Sequence, residues 1–127
     1  EYCGMSRNNN GLKKAKKLIK DLRAEYWENV LVGGSDQDFN QSLERAWRVA
    51  DFLEFGELMV TDALERQESC GGHFNEKFQT GENEALRDDK HFCHVSAWEF
   101  NGDKRKPKFH KEPLTFENVE LTQRSYK

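Results

Sequence analysis

The sequence predicts a mainly α fold: an antiparallel helical bundle, similar to a spectrin repeat with a truncated first helix, followed by an extended C-terminal tail with a β-hairpin. Two stretches, about 11–28 and about 37–67, carry apolar residues at helical spacing. A short connection joins them, which predicts antiparallel packing. The remaining sequence is polar and rich in turn residues, with one hairpin pattern at about 92–110. We therefore place the bundle at 1–68 and the tail at 69–127.

The first helix has a regular apolar stripe on one face. Its members recur at spacings of three and four residues: Leu12, Ala15, Ile19, Leu22 and Tyr26. The asparagines at 8–10 precede it and offer an N-cap. Lysines between Lys13 and Lys20 fall mostly on the opposite face. Because the net charge is −3 and no aromatic residues are interleaved with these lysines, we expect a solvated face and no nucleic-acid partner.

The second helix changes character along its length. Ser35 and Asp38 resemble a capping pair, which predicts a start between Asp36 and Phe39. A single apolar face follows: Phe39, Leu43, Ala46, Ala50 and Leu53. From Phe52 to Leu64, apolar residues surround almost the whole circumference, a pattern typical of a helix that is buried on all sides. We expect something outside these residues to cover a candidate apolar interface consisting of Phe52, Phe55, Met59 and Val60.

A polar motif closes the second helix, and its residues form a candidate docking corner: Arg66, Glu68, Ser69 and His73. Gly71 and Gly72 can adopt positive backbone dihedrals and end the helix. One interpretation is a helix C-cap with a few satisfied polar side chains. The other is a corner pressed against another domain. The sequence leaves both open.

One strand is convincing in the second half of the chain. The run Phe92 to Phe100 is rich in β-formers, and Asn101-Gly102 follows it as a hairpin signal. The return strand is predicted at Lys108 to His110, after Pro107. The rest of the tail has few apolar residues, so we expect it to wrap along a surface.

No arrangement of reactive side chains predicts an active site. Cys70 and His73 could form part of a metal site, but Cys93 and His94 are adjacent on a predicted strand and point to opposite faces. The chain also lacks a Gly-x-Gly-x-x-Gly dinucleotide fingerprint. We therefore expect no catalytic, cofactor-binding or metal-binding residues.

Composition limits the class of protein. The 127 residues suit one domain, and 12% aromatic residues argue against disorder. No run approaches the ~20 apolar residues of a membrane-spanning helix, so we expect no membrane insertion. Three widely spaced cysteines favour reduced thiols in the cytoplasm. The sequence begins at Glu1 without an initiator Met, and we expect it to be part of a longer polypeptide.

The segment Arg66-Gln67-Glu68-Ser69-Cys70-Gly71-Gly72-His73 resembles the Arg-x-Glu-Ser-Arg-Gly-x-His segment of succinate dehydrogenase and fumarate reductase flavoprotein subunits. Further similarities follow along the chain: Ser6-Arg7, Gly11-Leu12, Leu22-Arg23, Asn40-Gln41, Leu53-Glu54-Phe55-Gly56-Glu57-Leu58, Arg87-Asp88-Asp89 with Phe92, and Arg124-Ser125-Tyr126. The Leu53 stretch and Gly71-Gly72 are most similar to Bacteroidetes-type complexes. Cys70 stands where most of the wider family has Arg, which removes a fixed charge from the docking corner.

The resemblance implies the helical C-terminal domain of an oxidoreductase subunit. In such proteins, flavin-binding and capping domains precede this region and carry the FAD and the catalytic residues. Succinate and fumarate are interconverted there, and electrons pass through an iron–sulfur subunit to a quinone at the cytoplasmic face of the inner membrane. The expected partners of this chain are those two domains and the iron–sulfur subunit. Its expected role is structural, without catalysis or cofactor of its own, and with self-association when isolated.

Two alternatives from the sequence are a free-standing helical protein-interaction module and the C-terminal domain of L-aspartate oxidase. The uncovered end of the second helix favours a missing partner domain over the free-standing module. The predicted hairpin and long tail favour the succinate dehydrogenase and fumarate reductase family over L-aspartate oxidase.

Overall fold

Two long helices precede an antiparallel hairpin, so the predicted order of elements is confirmed. The computed structural model describes residues 1–35, 37, 39–102, 105–123 and 125. The chain divides into two compact units, Glu1–Glu65 and Arg66–Lys127. The division coincides with the end of the second helix, three residues before the predicted boundary.

The first helix, α1, spans Asn9–Asn29. Asn8 is its N-cap, as predicted, because the Asn8 side chain accepts a hydrogen bond of 2.8 Å from Gly11 N. Leu22 is exposed although the stripe includes it. Arg23, one residue later, turns toward the second helix and forms ion pairs with Glu54 and Glu57.

The second helix, α2, spans Gln41–Glu65 and begins after the predicted start. Asn40 explains the difference, because its Oδ1 accepts from Leu43 N at 3.1 Å in the manner of an N-cap. Ser35, the predicted cap, instead accepts from Gln37 N in a local turn. Asp36 and Asp38, which belonged to the predicted start, lie outside the described residues.

Gly34 holds the connection between the helices against Asn40. Its φ is +120°, a backbone conformation that favours glycine. Asn40 Nδ2 donates to Gly33 O at 3.0 Å, and a Cβ at Gly34 would lie 2.3 Å from that same nitrogen. A side chain at Gly34 would therefore be strained by the positive φ and would displace the Asn40 amide, whereas Gly33 has open space around it.

The two helices run antiparallel. Tyr26, near the end of α1, donates its hydroxyl to Ala46 O near the start of α2. Farther along the pair, the end of Ile19 lies beside Gly56, where an added Cβ would be 3.7 Å away. The core lies at the opposite end and consists of Leu12, Ala15, Val60 and Ala63, with Tyr2, Cys3, Ile19 and Leu64 packed against it.

Val60 corrects one member of the predicted apolar interface. Its exposed fraction is 2%, because it faces α1 within the core. Ala63 is buried in the same cluster. Thus α1 covers part of the apolar circumference of α2, which the sequence pattern had assigned to an outside partner.

The second unit contains a short helix and a two-stranded sheet. Helix α3 spans Asp89–Phe92, strand β1 spans His94–Glu99 and strand β2 spans Lys108–Pro113. The strands pair antiparallel, with His94 opposite Pro113 and Glu99 opposite Lys108. The hairpin is thus confirmed, but β1 begins two residues later than predicted and β2 continues three residues farther.

The connection between the strands is longer than the Asn-Gly pattern indicates. A two-residue turn would join the strands directly at Asn101-Gly102. Instead the last paired residues are Glu99 and Lys108, so eight residues of sequence separate the two strands. Farther along, the tail returns to the same unit, where Gln123 Nε2 donates to Ala85 O at 2.8 Å.

Candidate docking site

The glycines of the polar motif form a tight turn and do not cap α2. The helix ends at Glu65, well before Gly71. Cys70 N donates to His73 O at 2.9 Å, and His73 N donates to Cys70 O at 3.0 Å. Gly71 has a φ of +56°, whereas Gly72 has no positive φ, which is the sign pattern of a type II′ turn. The C-cap interpretation was therefore wrong, because these two reciprocal hydrogen bonds close a hairpin turn.

Glu68 is the charged centre of the docking corner. Glu68 as a whole is only 2% exposed to solvent. Oε1 lies 2.6 Å from Arg66 Nη1, and Oε2 accepts from Asp88 N at 2.8 Å. Both oxygens of the carboxylate are thus engaged, which meets the condition under which a charge is tolerated away from water.

Arg66 connects the motif to the hairpin. Its Nη2 donates to His94 O at 3.2 Å at the start of β1. Its guanidinium also lies over the Phe92 ring, 6.0 Å from the centroid. In addition, His73 Nε2 lies 3.0 Å from Arg66 O, where its N–H donates to that carbonyl. One arginine therefore holds three parts of the second unit together.

Ser69 ties the motif to the following loop. It is completely buried, and its hydroxyl donates to Asn75 O at 3.1 Å while accepting from Asn75 N at 2.9 Å. Ser69 N donates to Leu86 O at 2.9 Å. Asn75 is buried as well, and its side-chain oxygen accepts from Lys77 N. These bonds fix the segment from the docking corner to residue 86.

The buried polar atoms of the docking corner have their hydrogen-bond partners within the chain. Among the described residues, no buried side-chain nitrogen or oxygen lacks a hydrogen-bond partner. Within the candidate corner, Glu68 pairs with Arg66 and His73 bonds to Arg66 O, whereas Ser69 bonds to Asn75. A role of these residues in docking stays a prediction. Asn75, Asp88 and His94 complete the network, and the sequence analysis did not identify them as members. No periodic pattern marks these three residues, because they meet the motif through turns.

His94 is the buried titratable side chain beside this network. Burial lowers its pKa from the usual 6.5, and the nearby charges of Lys111 and Arg66 lower it further, while Glu68 opposes them. Its ring lies 5.9 Å from that of Phe92 and 6.2 Å from that of Phe109, measured between centroids. The neutral imidazole is therefore the form that this site favours.

Other charged pairs lie on the surface of the second unit. Arg87 forms a two-pronged pair with Asp89, which raises the pKa of the guanidinium. The exposed Asp88 carboxylate accepts from His91, which lowers the pKa of Asp88. Among the residues that the structure describes, no group of three or more His, Cys, Asp or Glu side chains could hold a metal ion.

An apolar face lies on the side of α2 away from the core. It consists of Phe52, Phe55 and Met59, whose exposed fractions are 66%, 60% and 46%. The spacing of three and four residues places them on one face of the helix. Burying an exposed phenylalanine of this kind contributes about 1–2 kcal/mol.

None of the described helices combines the length and the apolar content needed to cross a lipid bilayer.

One of three comparisons with known proteins shows a family for this chain. A family model described as "Fumarate reductase flavoprotein C-term" matches residues 1–126. A comparison with curated proteins finds no match. Among solved structures, a mutant of E. coli quinol fumarate reductase FrdA has a TM-score of 0.80 and 20% sequence identity, and the match covers 97% of this chain. A quinol-fumarate reductase with menaquinol molecules has a TM-score of 0.75 and 20% identity over 93% of this chain.

These structural matches cover only a part of the larger proteins. The chain spans 20% of the length of the first solved protein and 19% of the second. At this level of identity, the likeness shows a shared fold.

Proposed function

This chain belongs to the family of fumarate reductase flavoprotein C-terminal domains, and from this premise we propose that it braces the flavoprotein subunit of a succinate dehydrogenase or fumarate reductase. Its role is to dock against the other domains of that subunit. It carries out no catalysis itself. The parent subunit interconverts succinate and fumarate with FAD and passes electrons through an iron–sulfur subunit to a quinone.

The apolar face is the observation that carries this proposal. Phe52, Phe55 and Met59 remain exposed although α1 covers the neighbouring face of α2. The polar side chains of the docking corner, in contrast, already have hydrogen-bond partners within the second unit. A surface of this kind supports packing, because it offers apolar area without reactive groups.

The residues of this chain do not fit a flavin site. A Rossmann-like site needs parallel strands joined by helices and a glycine-rich phosphate turn. The described strands form one antiparallel pair, and the sequence lacks the glycine fingerprint. We propose that the FAD of the parent subunit lies in the domains outside this chain, and no step of the reaction is assigned to these residues.

The proposed partners follow from the same premise. The apolar face packs against the flavin-binding or capping domain of the same subunit. The iron–sulfur subunit is the partner of the assembled flavoprotein. The complex operates at the cytoplasmic face of the inner membrane, where its quinone is reduced or oxidised. When this chain is isolated, the apolar face becomes a contact for self-association.

A double substitution in the complete flavoprotein subunit tests the docking role. Phe52→Ser combined with Phe55→Ser removes the aromatic contacts without affecting the core. Burial of each phenylalanine against the partner domain contributes about 1–2 kcal/mol to the free energy of docking. We therefore expect FAD retention and fumarate reduction to fall by about tenfold or more. Both are measured on the purified subunit, by flavin absorbance and with a reduced dye.

The control is Met5→Ser, which changes an apolar side chain that is 92% exposed and lies outside α1 and α2. It should leave both measurements unchanged. Circular dichroism of the isolated chain should show the same helix content for all variants. A double variant that keeps full FAD retention and activity would remove the support for docking through this face.

A further inference from the structure

The sequence contains two Asn-Gly pairs, and the structure places them in different backbone environments. Asn10-Gly11 lies in the first turn of α1, and Asn101-Gly102 lies in the loop between β1 and β2. Both asparagines are exposed. An asparagine followed by glycine is the pair most prone to intramolecular attack on the side-chain amide, because glycine has no side chain to obstruct the approach and the backbone is permissive.

The loop environment leaves Asn101-Gly102 open to this attack. Both residues lie outside any helix or strand. A Cβ added at Gly102 would meet nothing within 4 Å, and the φ of Gly102 is +96°. Loops of this kind open at low free-energy cost, so the backbone can sample the geometry that brings Gly102 N to Asn101 Cγ.

The helical environment opposes the same attack at Asn10-Gly11. Gly11 N donates a 2.8 Å hydrogen bond to the Asn8 side chain that caps α1. The space around Gly11 is also crowded, since a Cβ there would lie 3.2 Å from Asn8 Oδ1 and 3.4 Å from a Tyr2 ring carbon. Helical dihedrals hold the amide nitrogen of the next residue away from the side-chain carbonyl. Ring closure at Asn10 therefore requires the helix end to open first.

We propose that Asn101 is a site of spontaneous deamidation and that the N-terminal turn of α1 protects Asn10. Gly102 N forms a bond to Asn101 Cγ and gives up its proton, the Cγ–Nδ2 bond breaks, and the side-chain nitrogen leaves as ammonia. The resulting succinimide adds one water at either carbonyl. The products are aspartate, or isoaspartate with the backbone passing through the former side chain. No oxidant or reductant takes part.

The modification would change the charge of the hairpin loop. It adds one carboxylate to a connection that also contains the exposed basic residues Arg105 and Lys106. The isoaspartate product also lengthens the backbone by one carbon, between the residues paired at Glu99 and Lys108. The loop therefore gains a negative charge and a backbone bend without any change in the core of either helix.

Peptide mapping by mass spectrometry tests this inference. The intact chain is incubated at mildly alkaline pH, and the peptides that contain Asn10 and Asn101 are followed over time. We expect the Asn101 peptide to deamidate at least about tenfold faster than the Asn10 peptide. This ratio of rates corresponds to a free energy of about 1.4 kcal/mol for local opening of the first turn of α1. It should also separate into two products of equal mass. In denaturant, both peptides should react at similar rates, because α1 no longer protects Asn10.

Two variants serve as controls. Asn101→Gln should abolish the fast reaction, because closure of a six-membered ring is much slower, and Asn10→Gln should leave that reaction unchanged. A ratio below tenfold in the folded chain would overturn the inference. So would a ratio that persists in denaturant, since the difference would then come from the local sequence and not from the fold.

Discussion

Glu68 is the residue on which the docking corner depends. Its carboxylate is buried and binds both Arg66 and the backbone of Asp88. Glu68→Gln keeps the shape but leaves Arg66 without its counter-charge in a partly buried position. We expect a loss of about 2–4 kcal/mol in unfolding free energy, measured by urea denaturation.

Glu44→Gln is the matched control for this substitution. It removes the carboxylate of an exposed pair with Arg48 on α2. Such a surface pair contributes at most about 1 kcal/mol. Equal effects of the two substitutions would contradict a special role for the buried pair.

His94 makes stability depend on pH. Burial, Lys111 and Arg66 lower its pKa below 6.5, so the unfolded chain binds a proton more readily than the folded chain does. Stability should therefore be fully present above pH 6.5 and decrease as the pH falls through the lower folded pKa. The change is measured as the midpoint of urea unfolding at a series of pH values.

His94→Asn isolates this contribution, because asparagine does not titrate. In that variant the urea midpoint should decrease less between neutral and mildly acidic pH. Asp88 contributes in a different window, since its pKa lies below 3.8 through its contact with His91. An unchanged pH profile in the His94 variant would contradict the assignment.

At the scale of elements, the helix pair depends on a small core. Val60 and Val49 both lie on α2, but Val60 is 2% exposed and Val49 is 45% exposed. The change to alanine alters helix propensity equally at both positions, so the difference between them reports packing against α1. We expect Val60→Ala to cost about 1–2 kcal/mol more than Val49→Ala in thermal unfolding. Equal costs would contradict the position of the core.

The helices could be predicted from the sequence because their signals are local. The apolar stripe of α1 and its Asn8 cap follow directly from residue spacing and capping chemistry. The start of α2 could not be predicted as well, because Ser35 and Asn40 are both capable caps. The choice of Asn40 depends on its additional bond to Gly33 O, which no periodic pattern reveals.

The sequence motif names the members of the candidate docking corner, but the turn that they form could not be predicted from it. The motif identified Arg66, Glu68, Ser69 and His73, but Gly71 was assigned to a helix end that lies six residues earlier. Its true role depends on the reciprocal bonds between Cys70 and His73. Similarly, Asp88 and His94 join Glu68 and Arg66 across about twenty residues or more of sequence, and such contacts leave no local signal.

At the scale of the whole molecule, the proposed docking role requires that another domain of the flavoprotein subunit covers the apolar face. The chain belongs to a family of C-terminal domains and spans about a fifth of the solved proteins that it resembles. Within the chain, α1 covers Val60 but leaves Phe52, Phe55 and Met59 exposed. The proposed partner domain would cover these three residues.

Hydroxyl-radical footprinting of the isolated chain and of the intact flavoprotein complex tests this claim most directly. Phenylalanine and methionine side chains are labelled when solvent reaches them, and mass spectrometry reports each position. We expect strong labelling of Phe52, Phe55 and Met59 in the isolated chain at low concentration. In the complex we expect at least about tenfold protection, because these side chains become fully buried. Equal labelling of these three residues in both samples would contradict this claim.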